Sequence, residues 1–270
     1  MAPILTEKKI EYSQIVPFGL EIKGLAVENI TQQESENLKH QLADHGVMVI
    51  RQQHIDDDDF VSFLKQLGPL TFTTGEKPVA RQPLLNVVSN VGRTTPPRSV
   101  FHTDTSYISQ PPAYTALRAI KLPQSGGETV FCNQYHAFET LPSWVSAPLQ
   151  GTKVLHTVSG LTLTDSDEQQ TWHPLFRRHP ISGRTALYLS TPERCTALFG
   201  MAAAKSQRII RLLYRHSIRA ARCYRHHWQL GDIVVWDNRC TMHRADHSQV
   251  VGDRMLHRGL ISGEAPLAPA

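Results

Sequence analysis

YTALRAIKLPQSGGETVFC, residues 114–132, contains two short strand-like runs, Tyr114 to Ile120 and Glu128 to Cys132. Pro123, Gly126 and Gly127 fall between them. The pattern recurs downstream at Lys153 to Val158, Thr185 to Leu189, Asp232 to Asp237 and Met255 to Ile261, each set off by turn-forming residues. Short runs bounded by such residues read as strands. Upstream, GLEIKGLAV (Gly19 to Val27) alternates apolar and polar residues and reads as a strand. The fully apolar VMVI (Val47 to Ile50) predicts a buried strand. Two helices interrupt this series. Thr31 with Glu34 makes a capping box for a helix using Leu38 and Leu42 and ending near Gly46. Asp56 to Asp59 precede Phe60, Phe63, Leu64 and Leu67 at helical spacing, and Gly68-Pro69 ends that segment. These four carboxylates suit a helix N-terminus, and no calcium-loop spacing follows them. A further helix is predicted over Ala202 to His216. Many short strands with helices outside predict a mainly β fold of sandwich or jelly-roll type.

The 270 residues are 40% hydrophobic and 19% charged, an ordinary globular composition. No repeat, low-complexity segment or linker divides them, so one domain over residues 1–270 is expected. A domain of this size buries enough surface to fold without disulfides. The four cysteines, Cys132, Cys195, Cys223 and Cys240, show no close spacing. Reduced thiols and a cytoplasmic location are expected. No run is long enough to span a bilayer, and MAPILTEKKIEYSQ lacks an apolar leader core. Net charge is +4. The densest basic stretch, Arg208, Arg211, Arg215, Arg219, Arg222 and Arg225, follows helical spacing and reads as a solvated helix face. Neither a nucleic-acid nor a membrane partner is expected. Residues 71–99 read as a long loop with a short strand at Leu84 to Val88, a candidate lid. EAPLAPA reads as a loose C-terminal end.

Among the 14 histidines, position decides which matter. His102 and Asp104 form an His-x-Asp pair on a strand or strand end, where a period of two puts both side chains on one face. His243 lies in WDNRCTMHR, a strand end bearing Trp236 and Asn238. Two imidazoles and one carboxylate are the facial ligand set of non-haem iron(II) oxygenases. Such a set leaves coordination positions for a 2-oxo acid and O2. His-x-Asp alone is common; its combination with His243 and with Arg254 and Arg258 in DRMLHRGLI carries more weight. The two arginines are four apart, so a strand presents both on one face. His257 between them points the other way. His156, His173, His179 and His247 are not needed for this set.

The sequence resembles the taurine dioxygenase / 2,4-dichlorophenoxyacetate dioxygenase family. The resemblance rests on LGPL at Leu67, FHTDTSY at Phe101, GGET at Gly126, HPLFRRHPISGRTALYLS at His173, WDNRCTMHR at Trp236 and the arginine pair. It spans Gly19 to Gly263. It implies a double-stranded β-helix, with Fe(II), 2-oxoglutarate and O2 as cofactor and cosubstrates. It also implies iron ligation by His102, Asp104 and His243. Thr129 and Arg254 would meet the distal carboxylate of 2-oxoglutarate, and Arg258 an anionic group of the substrate. A guanidinium forks two N–H bonds onto one carboxylate, which suits both arginines. One departure concerns the substrate: Leu70-Thr71-Phe72-Thr73 lacks the histidine that helps bind sulfonate in taurine dioxygenase. HTDTSYISQPPAYTALRA, SGRTALYLSTPERC and VVGDRMLHRG are similar to a narrower branch acting on tyrosine-derived isocyanides in secondary metabolism. A small organic acid is therefore the expected substrate, with a homo-oligomer compatible with the family. Competing readings are hydroxylation of an aryloxy acid, sulfonate or sulfate ester, a non-catalytic binding protein on the same fold, and nucleic-acid binding through the Arg208 to Arg225 stretch.

Overall fold

The computed structural model describes residues 10–92, 99–161 and 163–269. Its largest sheet has nine strands. The order is Glu11–Gln14, Leu20–Lys23, Val47–Ile50, Ile233–Asp237, Tyr114–Lys121, Met255–Ile261, Gln82–Ser89 and Pro78–Val79, with Leu70–Thr71 also pairing onto Met255–Ile261. A smaller sheet of Cys223–His226, Thr129–Asn133 and Thr241–Ala245 lies opposite. The apolar runs explain the layering. Val47 and Val49 point between the two sheets, where they meet Phe131, Val234, Trp236 and Leu256. Met48 and Ile50 point outward, onto a layer containing Leu38, Leu42, Phe60, Phe63 and Leu64. A strand buried on both faces needs side chains that are apolar at every position, as VMVI provides. The architecture is the double-stranded β-helix that the resemblance implies.

The outer helices form as their sequences predict. Gln32–His45 starts at Thr31, whose hydroxyl accepts from Glu34 N, while Glu34 accepts from Thr31 N. Asp57–Leu67 starts at Asp56, whose carboxylate takes the N–H groups of Asp58 and Asp59. Met255–Ile261 packs directly on this second helix: a Cβ at Gly259 would lie 2.2 Å from Leu64 Cδ1. His257 faces the same way and hydrogen-bonds Asp57 at 2.8 Å.

Several expectations are corrected. GLEIKGLAV holds only the strand Leu20–Lys23, followed by a 3-10 turn at Val27–Asn29. The short strand expected within residues 71–99 is present but longer, Gln82–Ser89 in place of Leu84 to Val88, and is hydrogen-bonded to Met255–Ile261. Residues 93–98 of the expected lid lie outside the described residues. The six arginines do not share a helix face. The helix Ala203–Ser217 stops before Arg219; Arg222 is buried and donates to His216 O and Thr140, and Arg225 sits on a strand. The C-terminal tail is not loose. Glu264 accepts from both Arg239 and Arg177, and Leu267 O accepts from Arg178 N.

The cysteine expectation is also corrected. Cys132 and Cys223 form a disulfide. They are register partners on adjacent strands, brought together across 91 residues, so close-spacing rules had no purchase. Cys195 and Cys240 are free and buried. The cytoplasmic expectation loses the support it drew from reduced thiols. Among the described residues, no helix is long and apolar enough to cross a membrane.

Candidate active site

His102 is not part of a strand but forms a one-residue antiparallel bridge to His243. His102 N donates to His243 O at 2.9 Å, and His243 N donates to His102 O at 3.0 Å. Two side chains 141 positions apart in the sequence are thus fixed side by side by their own peptide groups, with ring centroids 4.4 Å apart. After His102 the chain enters a turn that returns Asp104 to the same point. One nitrogen from each imidazole and one oxygen of Asp104 all lie within 4.8 Å of one another. His102 Nδ1 donates to Val100 O at 2.9 Å, which leaves the Nε2 lone pair free to ligate.

A buried relay orients the carboxylate. Trp236 Nε1 donates to Asn238 Oδ1, Asn238 Nδ2 donates to the Thr115 hydroxyl, and that hydroxyl donates to Asp104 Oδ2. Its partner oxygen, Asp104 Oδ1, is 3.5 Å from His102 Nε2. Burial opposes ionisation of Asp104, but His243, His102 and Arg258 outweigh it and hold the carboxyl well below its usual range. Burial pushes His243 down to about 3, so the ring stays neutral near pH 7 despite the attraction of Asp104. Two imidazoles and one carboxylate, from a bridge and a turn, are a donor set suited to a divalent iron ion.

Behind this set lies a compartment of about 230 Å³. At its wall Arg254 is only 1% exposed. It donates from Nε to Gly127 O at 2.8 Å and from Nη2 to Thr129 Oγ1 at 3.3 Å, while Nη1 has no partner. No carboxylate pairs with it among the described residues. Asp253 and Asp246, its nearest candidates in sequence, are taken by Lys121 and by Arg225 and Arg244. Burial lowers the Arg254 pKa to about 10, Glu128 partly opposing. A buried cation without an anion is costly, and a carboxylate ligand would relieve it. The Thr129 hydroxyl already accepts from Trp228 Nε1 and Arg254, so its own hydrogen is left to donate. The residues present therefore fit both the metal and a dicarboxylate cosubstrate.

The GGET motif has a geometric cause. Gly126 and Gly127 have φ of 72° and 80°. A Cβ on Gly127 would meet Arg254 Cδ at 2.9 Å, and one on Gly126 would strike the backbone of Gln249 at 2.4 Å. The glycines let this segment pass close enough for Gly127 O to hold Arg254.

Arg258 lies at the junction with a larger cavity of about 650 Å³, whose walls include Thr73, Glu76, Tyr107, Leu161, Arg194 and Met255. Its Nη2 is 3.2 Å from Glu76 and its Nη1 3.9 Å from Asp104. Thr73, in the stretch expected to lack a sulfonate-binding histidine, pairs its hydroxyl with that of Thr105. Nothing local in the chain marks Thr115, Trp228 or Glu76, whose contacts arise only where distant segments meet. His247, read as a loop residue, is in a loop and lines the smaller compartment.

A family model described as taurine catabolism dioxygenase TauD, TfdA family matches residues 11–260. The chain belongs to that family. The alpha-ketoglutarate-dependent 2,4-dichlorophenoxyacetate dioxygenase of Burkholderia sp. (strain RASC) is 28% identical over 277 residues, covering 90% of this chain and 91% of that protein. The alpha-ketoglutarate-dependent sulfate ester dioxygenase of Pseudomonas putida is 28% identical over 269 residues, covering 92% and 88%. The crystal structure of a taurine dioxygenase from Burkholderia xenovorans matches with a TM-score of 0.83 at 27% identity, over 96% of this chain and 93% of that one. As a member of the TauD, TfdA family, the chain is an Fe(II)- and 2-oxoglutarate-dependent dioxygenase that uses O2.

Proposed function

We propose that the enzyme oxidises a small carboxylate-bearing substrate, with iron held by His102, Asp104 and His243 and 2-oxoglutarate by Arg254 and Thr129. The observation that carries this reading is the convergence of the three donors beside a buried, anion-less Arg254. Once bound, the metal and its cosubstrate supply the oxidising chemistry. The residues of the chain position and shield. Arg254 and the Thr129 hydroxyl receive the distal carboxylate, and Trp228 keeps that hydroxyl turned toward it. The Trp236–Asn238–Thr115 relay fixes Asp104 in one rotamer. Arg258 anchors the substrate acid and sets which C–H bond faces the metal set. The segment carrying Thr73 and Glu76 closes one side of the cavity against water.

Two finer readings fit this scheme. Desaturation of a tyrosine-derived isocyanide acid, with or without decarboxylation, is supported by the HTDTSYISQPPAYTALRA and SGRTALYLSTPERC stretches. Hydroxylation of an aryloxy acid, sulfonate or sulfate ester is supported by the activities for which the relatives are named. Anaerobic addition of Fe(II) and 2-oxoglutarate tests the common reading: a visible charge-transfer band is expected, and it should vanish in His102→Ala. A wild-type protein that binds neither would overturn it. Succinate release across a substrate panel then separates the finer readings.

A further inference from the structure

Arg258 is not an empty anion hook. Glu76 Oε1 stands 3.2 Å from its Nη2, inside the larger cavity and at the boundary of the smaller one. The other carboxylate near Arg258, Asp104, is held by Thr115 and belongs to the metal set. Glu76 has no such duty. It lies in the short segment between Leu70–Thr71 and Pro78–Val79, and Arg258 is its one ion-pair partner among the described residues. The cavity therefore offers a fixed pair of opposite charges, side by side, where the substrate's acid group is to dock.

The consequence depends on the substrate's charge. A plain anion placed on Arg258 would set a second negative charge beside Glu76 in a partly buried cavity, where like charges repel more strongly than in water. Glu76 would have to move away. A substrate with a protonated amine next to its acid group meets no such penalty. Its carboxylate goes to Arg258 and its ammonium to Glu76. Because the two side chains already hold each other, little ordering remains to be done on binding.

Resting on the proposed oxygenase reading, and in place of the amine-free acids of its finer readings, we propose that the substrate is an amino acid, with carboxylate and protonated amine on the same or neighbouring carbons, and that Glu76 selects for the amine. Glu76 then acts as a specificity residue that rejects simple acids by repulsion as well as accepting the amine by attraction.

The test uses the full-length enzyme loaded anaerobically with Fe(II) and 2-oxoglutarate. Dissociation constants are measured calorimetrically for the proteinogenic L-amino acids, taurine and β-alanine, and for the matching compounds without the amine. Succinate release is measured for each in air. At least one amino acid should bind about 10-fold or more tighter than its amine-free partner, the scale of one charge-assisted hydrogen bond. Glu76→Gln should erase that preference by weakening the amino acid, while the amine-free acid binds equally or more tightly; Glu76→Asp should restore part of it. The charge-transfer band in each variant reports that the metal and 2-oxoglutarate sites are intact. The proposal is overturned if amine-free acids bind at least as tightly to the wild type, if Glu76→Gln changes both members of a pair equally, or if no panel member binds while the band is present. Absence of the band in the wild type would remove the oxygenase reading, and this proposal with it.

Discussion

The Thr115 hydroxyl donates to Asp104 Oδ2 at 2.8 Å and accepts from Asn238 Nδ2 at the same distance. Thr115 lies on the strand Tyr114–Lys121 and is fully buried, so no water can take its place without rearrangement. Thr115→Val keeps the shape but strands the Asn238 amide and frees the Asp104 side chain to rotate. Fe(II) affinity should fall about 10- to 100-fold, and stability by ~1–3 kcal/mol. Thr115→Ser should restore most of the affinity. Metal titration followed by the Fe(II)·2-oxoglutarate band checks this; unchanged affinity in Thr115→Val would remove the relay from the account.

Arg254 makes a prediction with two opposite signs. Arg254→Met should weaken 2-oxoglutarate binding by about 10- to 100-fold, as expected for losing a charge-assisted pair. Without 2-oxoglutarate the same variant should be no less stable than wild type, because it removes a buried cation that has no anion. Gly127→Ala should copy the binding loss, since its Cβ would press on Arg254 at 2.9 Å and its φ is 80°. Calorimetric melting with and without 2-oxoglutarate reads both effects. A large loss of stability in the ligand-free variant would contradict the assignment.

Much of this arrangement could be read from sequence, and the limits are physical. Thr31, Glu34 and Asp56 announce helix starts because capping is local. Val47–Ile50 announces itself as a strand because its apolar run is uninterrupted. His102, Asp104 and His243 were legible as a group only because few chemistries need those residue types together. What stayed hidden depends on which strands become neighbours. The strand expected at Leu84 to Val88 runs on to Gln82–Ser89, past Pro83, because its ends pair with Pro78–Val79 and with Met255–Ile261. Cys132 and Cys223 have nothing in their spacing to link them, and meet because Thr129–Asn133 and Cys223–His226 pair. Thr115 sits in an ordinary strand sequence, and only the turn after His102 brings Asp104 to it.

The disulfide should be detectable directly. Denatured protein purified without reductant should show two free thiols, Cys195 and Cys240, and reduced protein four. Closing a loop with a sequence separation of 91 predicts that the Cys132→Ala/Cys223→Ala variant is less stable by ~2–4 kcal/mol. Four free thiols without reductant would show that the bond does not form.

Acid should destabilise the fold through its buried histidines. Burial, then Arg177, pushes His173 down to about 4 from an ordinary value of 6.5. His156, which packs against it, is also lowered by burial, then by His173. Between pH 6.5 and about 4 the unfolded chain binds the His173 proton and the folded chain does not. Stability from this group is therefore complete above 6.5 and falls as pH drops toward 4. Urea midpoints of wild type and His173→Gln should converge across that window as pH falls. A difference that stays constant with pH would exclude this origin.

The strand Met255–Ile261 does two jobs with alternate residues. Leu256 packs between the two sheets and Arg258, on the same side, lines the cavity beside the metal set, while His257 and Gly259 look toward the helix Asp57–Leu67. Inserting or deleting a single residue there would exchange the two sets. The guanidinium would be driven into the apolar layer against Leu64, and an imidazole would take the anchoring position. Length changes in this segment should therefore abolish substrate recognition and folding together, whereas substitutions at Arg258 alone can retune what the enzyme accepts.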